Sequence, residues 1–341
     1  MKHIFTLLLS ICLLDITVFA QDRAPYLTKS LSGSNVNSVY ARTSGGNIQV
    51  TGVSASEARI EVYISDNGKN LSKEEVSKRL KDDYELTVEM DGNKLVATAE
   101  PRHSFSNWRN QLNVSYKIYV PSDVTTDLST SGGGIDLTNL KGFQNFSTSG
   151  GGLTLNKVSG KVRGKTSGGS INLNDCKDDI VLSTSGGGIQ AANCSGKLRL
   201  NTSGGGIELE SLDGEIEAET SGGSIRGEGI RGNLYAHTSG GPIKMRSLSC
   251  GLDASTSGGS IDVELTEVVA AITLNNSGGN VHLKMPSNKG LSLRLRGDKI
   301  SVVDLKNFSG DQDENSITGK INGGGIPVSV STNGNLTFAL K

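Results

Sequence analysis

Thr202-Ser203-Gly204-Gly205-Gly206-Ile207-Glu208-Leu209-Glu210-Ser211-Leu212-Asp213-Gly214-Glu215-Ile216-Glu217-Ala218-Glu219 runs straight into Thr220-Ser221-Gly222-Gly223, where the same pattern begins again. Thr-Ser-Gly-Gly starts at Thr130, Thr148, Thr166, Thr184, Thr202, Thr220, Thr238 and Thr256, always 18 residues apart. A fixed period of this length marks a repeat architecture, in which each unit buries its apolar face against the next. Worn copies lie outside the array: Thr43-Ser44-Gly45-Gly46, Asn276-Ser277-Gly278-Gly279 after a 20-residue step, Asn322-Gly323-Gly324-Gly325 and Thr332-Asn333-Gly334-Asn335.

The pattern inside a copy fixes its geometry. With Thr as position zero, +5 reads Ile135, Leu153, Ile171, Ile189, Ile207, Ile225, Ile243, Ile261, and +7 is mostly apolar, while +6 between them is polar. Apolar, polar, apolar is a strand with one buried face. Position +10 is apolar again (Leu140, Val158, Cys176, Cys194, Leu212, Ile230, Leu248), and +14 and +16 form a second strand, as in Ile180/Leu182 and Leu198/Leu200. The first copy departs there, with Phe143 and Phe146 filling the region. Glycine in the Ser-Gly-Gly corner is expected to supply positive φ, and a second corner often carries glycine at +12. Parity places the Thr side chains inward. The reading is an all-β, single-domain parallel β-solenoid with 18-residue two-strand turns. Its eight regular turns would span about 40 Å at ~4.8 Å each.

The flanks are less regular. Leu71 to Tyr84 reads as a helix with a Ser72/Glu75 capping box, and Glu85–Met90 and Lys94–Ala99 as strands around an Asp91-Gly92-Asn93 turn. An open solenoid end exposes strand edges and must be covered, so this strand-helix-strand segment reads as an N-terminal cap or insertion. The expected organisation is a signal peptide over 1–20, an irregular N-terminal β region with one short helix over 21–120, regular repeats over 121–285, and C-terminal turns and cap over 286–341. Lys2 and His3, the apolar run Ile4–Leu14 and Val18-Phe19-Ala20 carry the export reading. The mature chain has no apolar stretch of transmembrane length.

Composition narrows the function classes. Glycine is 45 of 341 residues and aromatics only 4%, which suits a thin core of small side chains. Lys+Arg (34) and Asp+Glu (35) nearly balance, so no strong field draws in nucleic acid. After export, Cys176, Cys194 and Cys250 remain. Cys176 and Cys194 stack at +10, either as a bridge or metal site or as two small hydrophobes; Cys250 replaces a corner glycine and is expected to be a free, partly exposed thiol.

Repeated Thr-Ser-Gly-Gly-x-Ile-x-Leu turns, a strand-helix-strand start and the Val120-Pro121 junction resemble the bacterial putative-adhesin domains of unknown function, relatives of autotransporter adhesin heads. The resemblance implies a β-solenoid at or near the cell envelope and brings no catalytic residues.

Three function classes follow. The first is a non-catalytic exported envelope protein, adhesin-like or scaffolding, that binds a surface, a glycan or a protein partner. Its candidate residues are Arg226 and Lys244 at +6 and Arg246 at +8; the same charges also suit a plain solvated face. The second is a periplasmic envelope-stress or regulatory partner using the Phe105 and Trp108 region, where Trp108 alternatively covers the solenoid end. The third, a carbohydrate-active β-helix enzyme, would need clustered carboxylates. Asp175, Asp178 and Asp179 form the densest acidic corner, while His103, His237 and His282 are scattered. No catalytic, cofactor or metal-ligating set is expected, and the absence of a Gly-Gly-x-Gly-x-Asp repeat argues against calcium.

Overall fold

A computed structural model describes residues 24–66, 72–102, 111–303 and 305–341. The export segment 1–20 and the candidates His103, Phe105 and Trp108 lie outside the described residues.

The chain is a β-solenoid. Most regular turns contribute one four-residue strand, such as Ile207–Glu210, and one strand of seven or eight residues, such as Asp213–Thr220. Every strand pairs in parallel with its equivalent one turn away: Ile207 sits beside Ile189 and Ile225, and Thr220 beside Thr202 and Thr238. Two long parallel ladders result, a short-strand sheet and a long-strand sheet, with the core between them. The columns at +5, +7, +10, +14 and +16 are buried along the array, and Ile207 and Ile225 are 0% exposed.

The columns adjust to one another in size. Phe146 fills the space that Gly164 leaves in the next turn; a Cβ on Gly164 would meet the Phe146 ring. In the same way Gly227 makes room for Met245 and Ile230. Phe143, by contrast, does not fill the core. It stands at +13, on the outward parity, and is 38% exposed. Gln144 takes the inward place, fully buried, because its amide is satisfied: Thr126 Oγ1 donates to its Oε1 (2.7 Å) and its Nε2 donates to the Val124 carbonyl (2.7 Å).

The corners work differently from the expectation. The glycines of Ser-Gly-Gly do not take positive φ. The +3 glycine is needed for close approach instead, since a Cβ on Gly205 would lie 2.1 Å from the Gly187 carbonyl oxygen of the turn before. Positive φ occurs at the other corner, at +9 (Asn139, Lys157, Asp175, Asn193, Ser211, Ser247) and at the +12 glycines, such as Gly196 at φ 107°. Cys250, at +12 without a glycine, is fully buried rather than partly exposed. Its turn has no such bend there: Ile243–Thr256 is one continuous strand, so Cys250 shares the inward parity of Leu248 and Leu252.

Both ends are closed by chain that leaves the stacking order. Ser38–Thr43 and Ile48–Val53 stack directly on Thr125–Thr130 and Ile135–Thr138. The intervening segment lies beyond them, with Lys94–Pro101 and Asn113–Pro121 continuing the two ladders in parallel. Tyr84–Asp91 and Arg59–Ser65 then add antiparallel strands outside these. Helix Lys73–Asp83 belongs to this cap; its Ser72/Glu75 capping box is formed and Val76 and Leu80 are its buried residues. At the far end Ile326–Thr332 and Leu336–Leu340 stack on Ile272–Asn276 and Val281–Met285, while Leu291–Arg296 and the antiparallel strands Ser316–Ile321 and Phe308–Gln312 lie outside. Asn322-Gly323-Gly324-Gly325 is therefore not a worn corner of the stack. It follows an antiparallel strand, and all four residues have positive φ.

Candidate functional site: two polar grooves along the stack

The repeated Thr is the girder of the corner. Thr202 Oγ1 donates to the Gly187 carbonyl of the preceding turn (2.7 Å) and accepts from Gly205 N–H (3.3 Å). The same pair of bonds recurs at Thr148, Thr166, Thr184, Thr220 and Thr238. Asn276 reproduces it with an amide, Nδ2 donating to Gly259 O (2.8 Å) and Oδ1 accepting from Gly279 N–H (2.9 Å). The serine after each Thr gives its carbonyl to the stack, as Ser185 does to Gly204 N–H (2.9 Å).

This bonding leaves the serine hydroxyls of the corner facing outward. They line a groove of about 960 Å³ that follows the stack from Ser129–Ser131 to Ser255 and Ser257. One wall is the +1 row (Ser149, Ser167, Ser185, Ser203, Ser221, Ser239), which is exposed. The other is the −1 row, where Lys165, Asn201, Glu219 and His237 interrupt the serines. His237 Nδ1 and Ser255 Oγ are 2.6 Å apart. The groove was not recognised from sequence, because the repeated Ser of the motif was read as turn chemistry alone. Its signal was there: a serine on the outward parity at +1 in all eight copies and at −1 in four of them.

A second, smaller furrow of about 470 Å³ crosses the short-strand sheet and brings Arg226, Lys244 and Arg246 together with Gln190, Glu208, Glu210 and Glu228. These charges are largely used within the face. Gln190 Nε2 donates to Glu208 (3.1 Å), Arg226 lies 3.7 Å from Glu208, and Arg246 Nη1 donates to Asp262 Oδ1 (2.9 Å). The Arg246 hydrogen bond holds the Asp262 carboxyl below its usual range, and Lys341 and Lys284 do the same for Glu264. Asp175 and Asp178 serve the corner, both at positive φ, with Asp178 accepting from Gly160 N–H (2.9 Å). Cys176 and Cys194 are buried free thiols, with Cys176 N–H donating to Cys194 Sγ (3.4 Å). The neighbouring Cys176 thiol and burial push the Cys194 thiol up, against the opposing effect of that N–H, and burial pushes Cys250 up to about 12. Among the described residues no helix is long and apolar enough to cross a membrane.

No protein-family model matches the chain, and no curated protein matches it. Among solved structures it is similar to a putative cell adhesion protein from Clostridium sporogenes ATCC 15579 (10% identity, TM-score 0.22, covering 92% of this chain and 98% of that one). It is also similar to a putative adhesin from Bacteroides fragilis NCTC 9343 (12% identity, TM-score 0.27, covering 92% and 96%). A third is a putative lipid binding protein from Parabacteroides distasonis ATCC 8503 (15% identity, TM-score 0.32, covering 93% and 97%).

Proposed function

We propose that the protein is a non-catalytic, exported envelope protein that holds an extended, hydroxyl-rich polymer, a glycan, along the serine-lined groove. The groove carries this reading. It is built by the repeat itself, so a ligand with its own regular repeat meets a serine hydroxyl of the +1 row at every ~4.8 Å step over some seven steps, about 34 Å, joined by a −1 serine at four of the eight turns. Hydroxyls both donate and accept, which suits sugar hydroxyls. The Thr and backbone groups beneath are satisfied within the stack, so the floor is rigid and the serines are available. The groove's two walls carry no aromatic or aliphatic side chain apart from the stems of Lys165 and Glu219 and the His237 ring, which disfavours an apolar ligand.

The test is a glycan array followed by calorimetry on the best ligand, with Ser185→Arg/Ser203→Arg filling the groove and Glu210→Ala as a control on the other face. Binding that falls at least ~10-fold in the groove variant alone, about 1.4 kcal/mol, supports the reading. Binding unaffected by the groove variant, or no binding to any glycan, overturns it.

A further inference from the structure

The outward face of the long-strand sheet has a charge order that is complementary to itself. Ser159–Lys165 presents Lys161, Arg163 and Lys165 outward, all exposed. Three strands along, Asp213–Thr220 presents Glu215, Glu217 and Glu219 from the same register positions. Between them lie Asp179 on Lys177–Thr184 and Lys197 and Arg199 on Ser195–Thr202. Lys197 and Arg199 reach Glu215 (2.9 Å) and Glu217 (3.2 Å) within the chain. Lys161, Arg163, Lys165 and Glu219 have no ion pair among the described residues. The strands on either side carry Phe143, 38% exposed, and Tyr235, 42% exposed, two of the few exposed large hydrophobic residues among those described.

We infer that this face binds a second copy of the same chain, with the two solenoids antiparallel and related by a two-fold axis along the strand direction. That axis, placed midway between Lys177–Thr184 and Ser195–Thr202, preserves strand direction and reverses stacking order. Each position then meets its own repeat position. Lys161 faces Glu215, Arg163 faces Glu217, Lys165 faces Glu219, and Asp179 faces Lys197, each pair occurring twice. Phe143 comes opposite Asn233, two residues along the strand from Tyr235. The other face-to-face two-fold, along the stack, sets Lys161, Arg163 and Lys165 against themselves and is repelled. At the rim the like charges Asp127 and Asp253, and Lys141 and Arg231, would face each other; Asp127 is held by Arg42 (3.1 Å), and the Lys141–Arg231 contact opposes the pairing.

Six strands of about five residues cover only about 500 Å² per copy at ~4.8 by ~3.3 Å per residue. A standard interface uses ~800 Å² a side, so the dimer is a weak one, steered by charge. Its salt dependence follows, since screening shortens from ~10 Å at 0.1 M to ~3 Å at 1 M.

Sedimentation equilibrium tests this with two variants, Lys161→Glu/Arg163→Glu and Glu215→Lys/Glu217→Lys. None of the four residues lines the serine groove, so glycan binding and self-association fail separately. The wild type is expected to dimerise reversibly at low salt and to weaken at least ~10-fold at high salt. Each variant alone faces like charges and stays monomeric. An equimolar mixture restores the dimer, because both strand contacts become complementary again, and misfolded variants could not be rescued this way. The milder Arg163→Ala is expected to weaken the dimer several-fold. A wild type that is monomeric throughout, variants that dimerise as the wild type does, or a mixture that stays monomeric while both variants melt like wild type overturns the inference.

Discussion

At the residue scale the two glycines of the motif have different tasks. Gly205 lies against the Gly187 carbonyl, whereas a Cβ on Gly204 would find its nearest neighbour 3.5 Å away. Gly205→Ala is therefore expected to cost about 1–3 kcal/mol, as overpacking does, and Gly204→Ala less than about 0.5 kcal/mol. Thermal melts of the pair check this, and equal melting temperatures contradict it. The cysteines give a second residue-scale outcome. Cys176, Cys194 and Cys250 are buried and free, and the thiolate is the reactive form. A thiol reagent at pH 8 is expected to leave all three unmodified in the folded protein and to modify all three once it is denatured. Rapid native labelling of Cys250 would restore the sequence-based expectation of an exposed corner thiol.

At the element scale the sequence was most legible where parity carries the information. The spacing of Ile207 and Leu209, then of Ile216 and Ala218, assigns both strands and the core side of each, and the inward Thr follows from the same count. Parity also shows where the reading slipped. Phe143 was drawn inward by its bulk, although Gln144 holds the inward position and has partners there. The left-handed residues at +9 escaped notice because Lys157 and Ser211 are not residues that announce positive φ, even though Asn139 and Asn193 at the same position are. Turn-to-turn packing is specific at this scale. Gly164→Ala is expected to destabilise the wild type, and the cost should shrink in a Phe146→Leu background, because the ring is what a Cβ meets. Additive effects in a double-mutant cycle contradict this. The Arg246–Asp262 pair makes a pH prediction. The Asp262 pKa is depressed in the folded state, so the pair's contribution is present above the unfolded value of about 3.9 and is lost as pH falls through the lower folded value. Both side chains are substantially exposed, which limits that contribution to about 1 kcal/mol or less. Arg246→Gln is expected to move the Asp262 titration, followed by carboxyl NMR, to higher pH; an unmoved midpoint contradicts the assignment.

At the scale of the whole molecule the repeat specifies the stack, but not how it closes. Thr43 and Thr130 lie far apart in sequence yet head adjacent turns, with Thr130 Oγ1 donating to the Gly46 carbonyl (2.8 Å). Thr332 likewise donates to Gly279 across a long insertion (2.6 Å). Such pairings are set by which segment can present antiparallel strands to cover the stack, and no local periodicity encodes that. The serine groove was equally hidden, since it exists only when turns are superimposed. One turn per 18 residues is the claim on which groove and charged face both rest. Distances between paired spin labels on exposed corner serines test it most directly, as Ser149 with Ser221, with Ser239 and with Ser257, which are four, five and six repeats apart. The account predicts distances that lengthen by a constant ~4.8 Å per repeat, near 19, 24 and 29 Å. Distances that do not rise by this step with repeat number would contradict it.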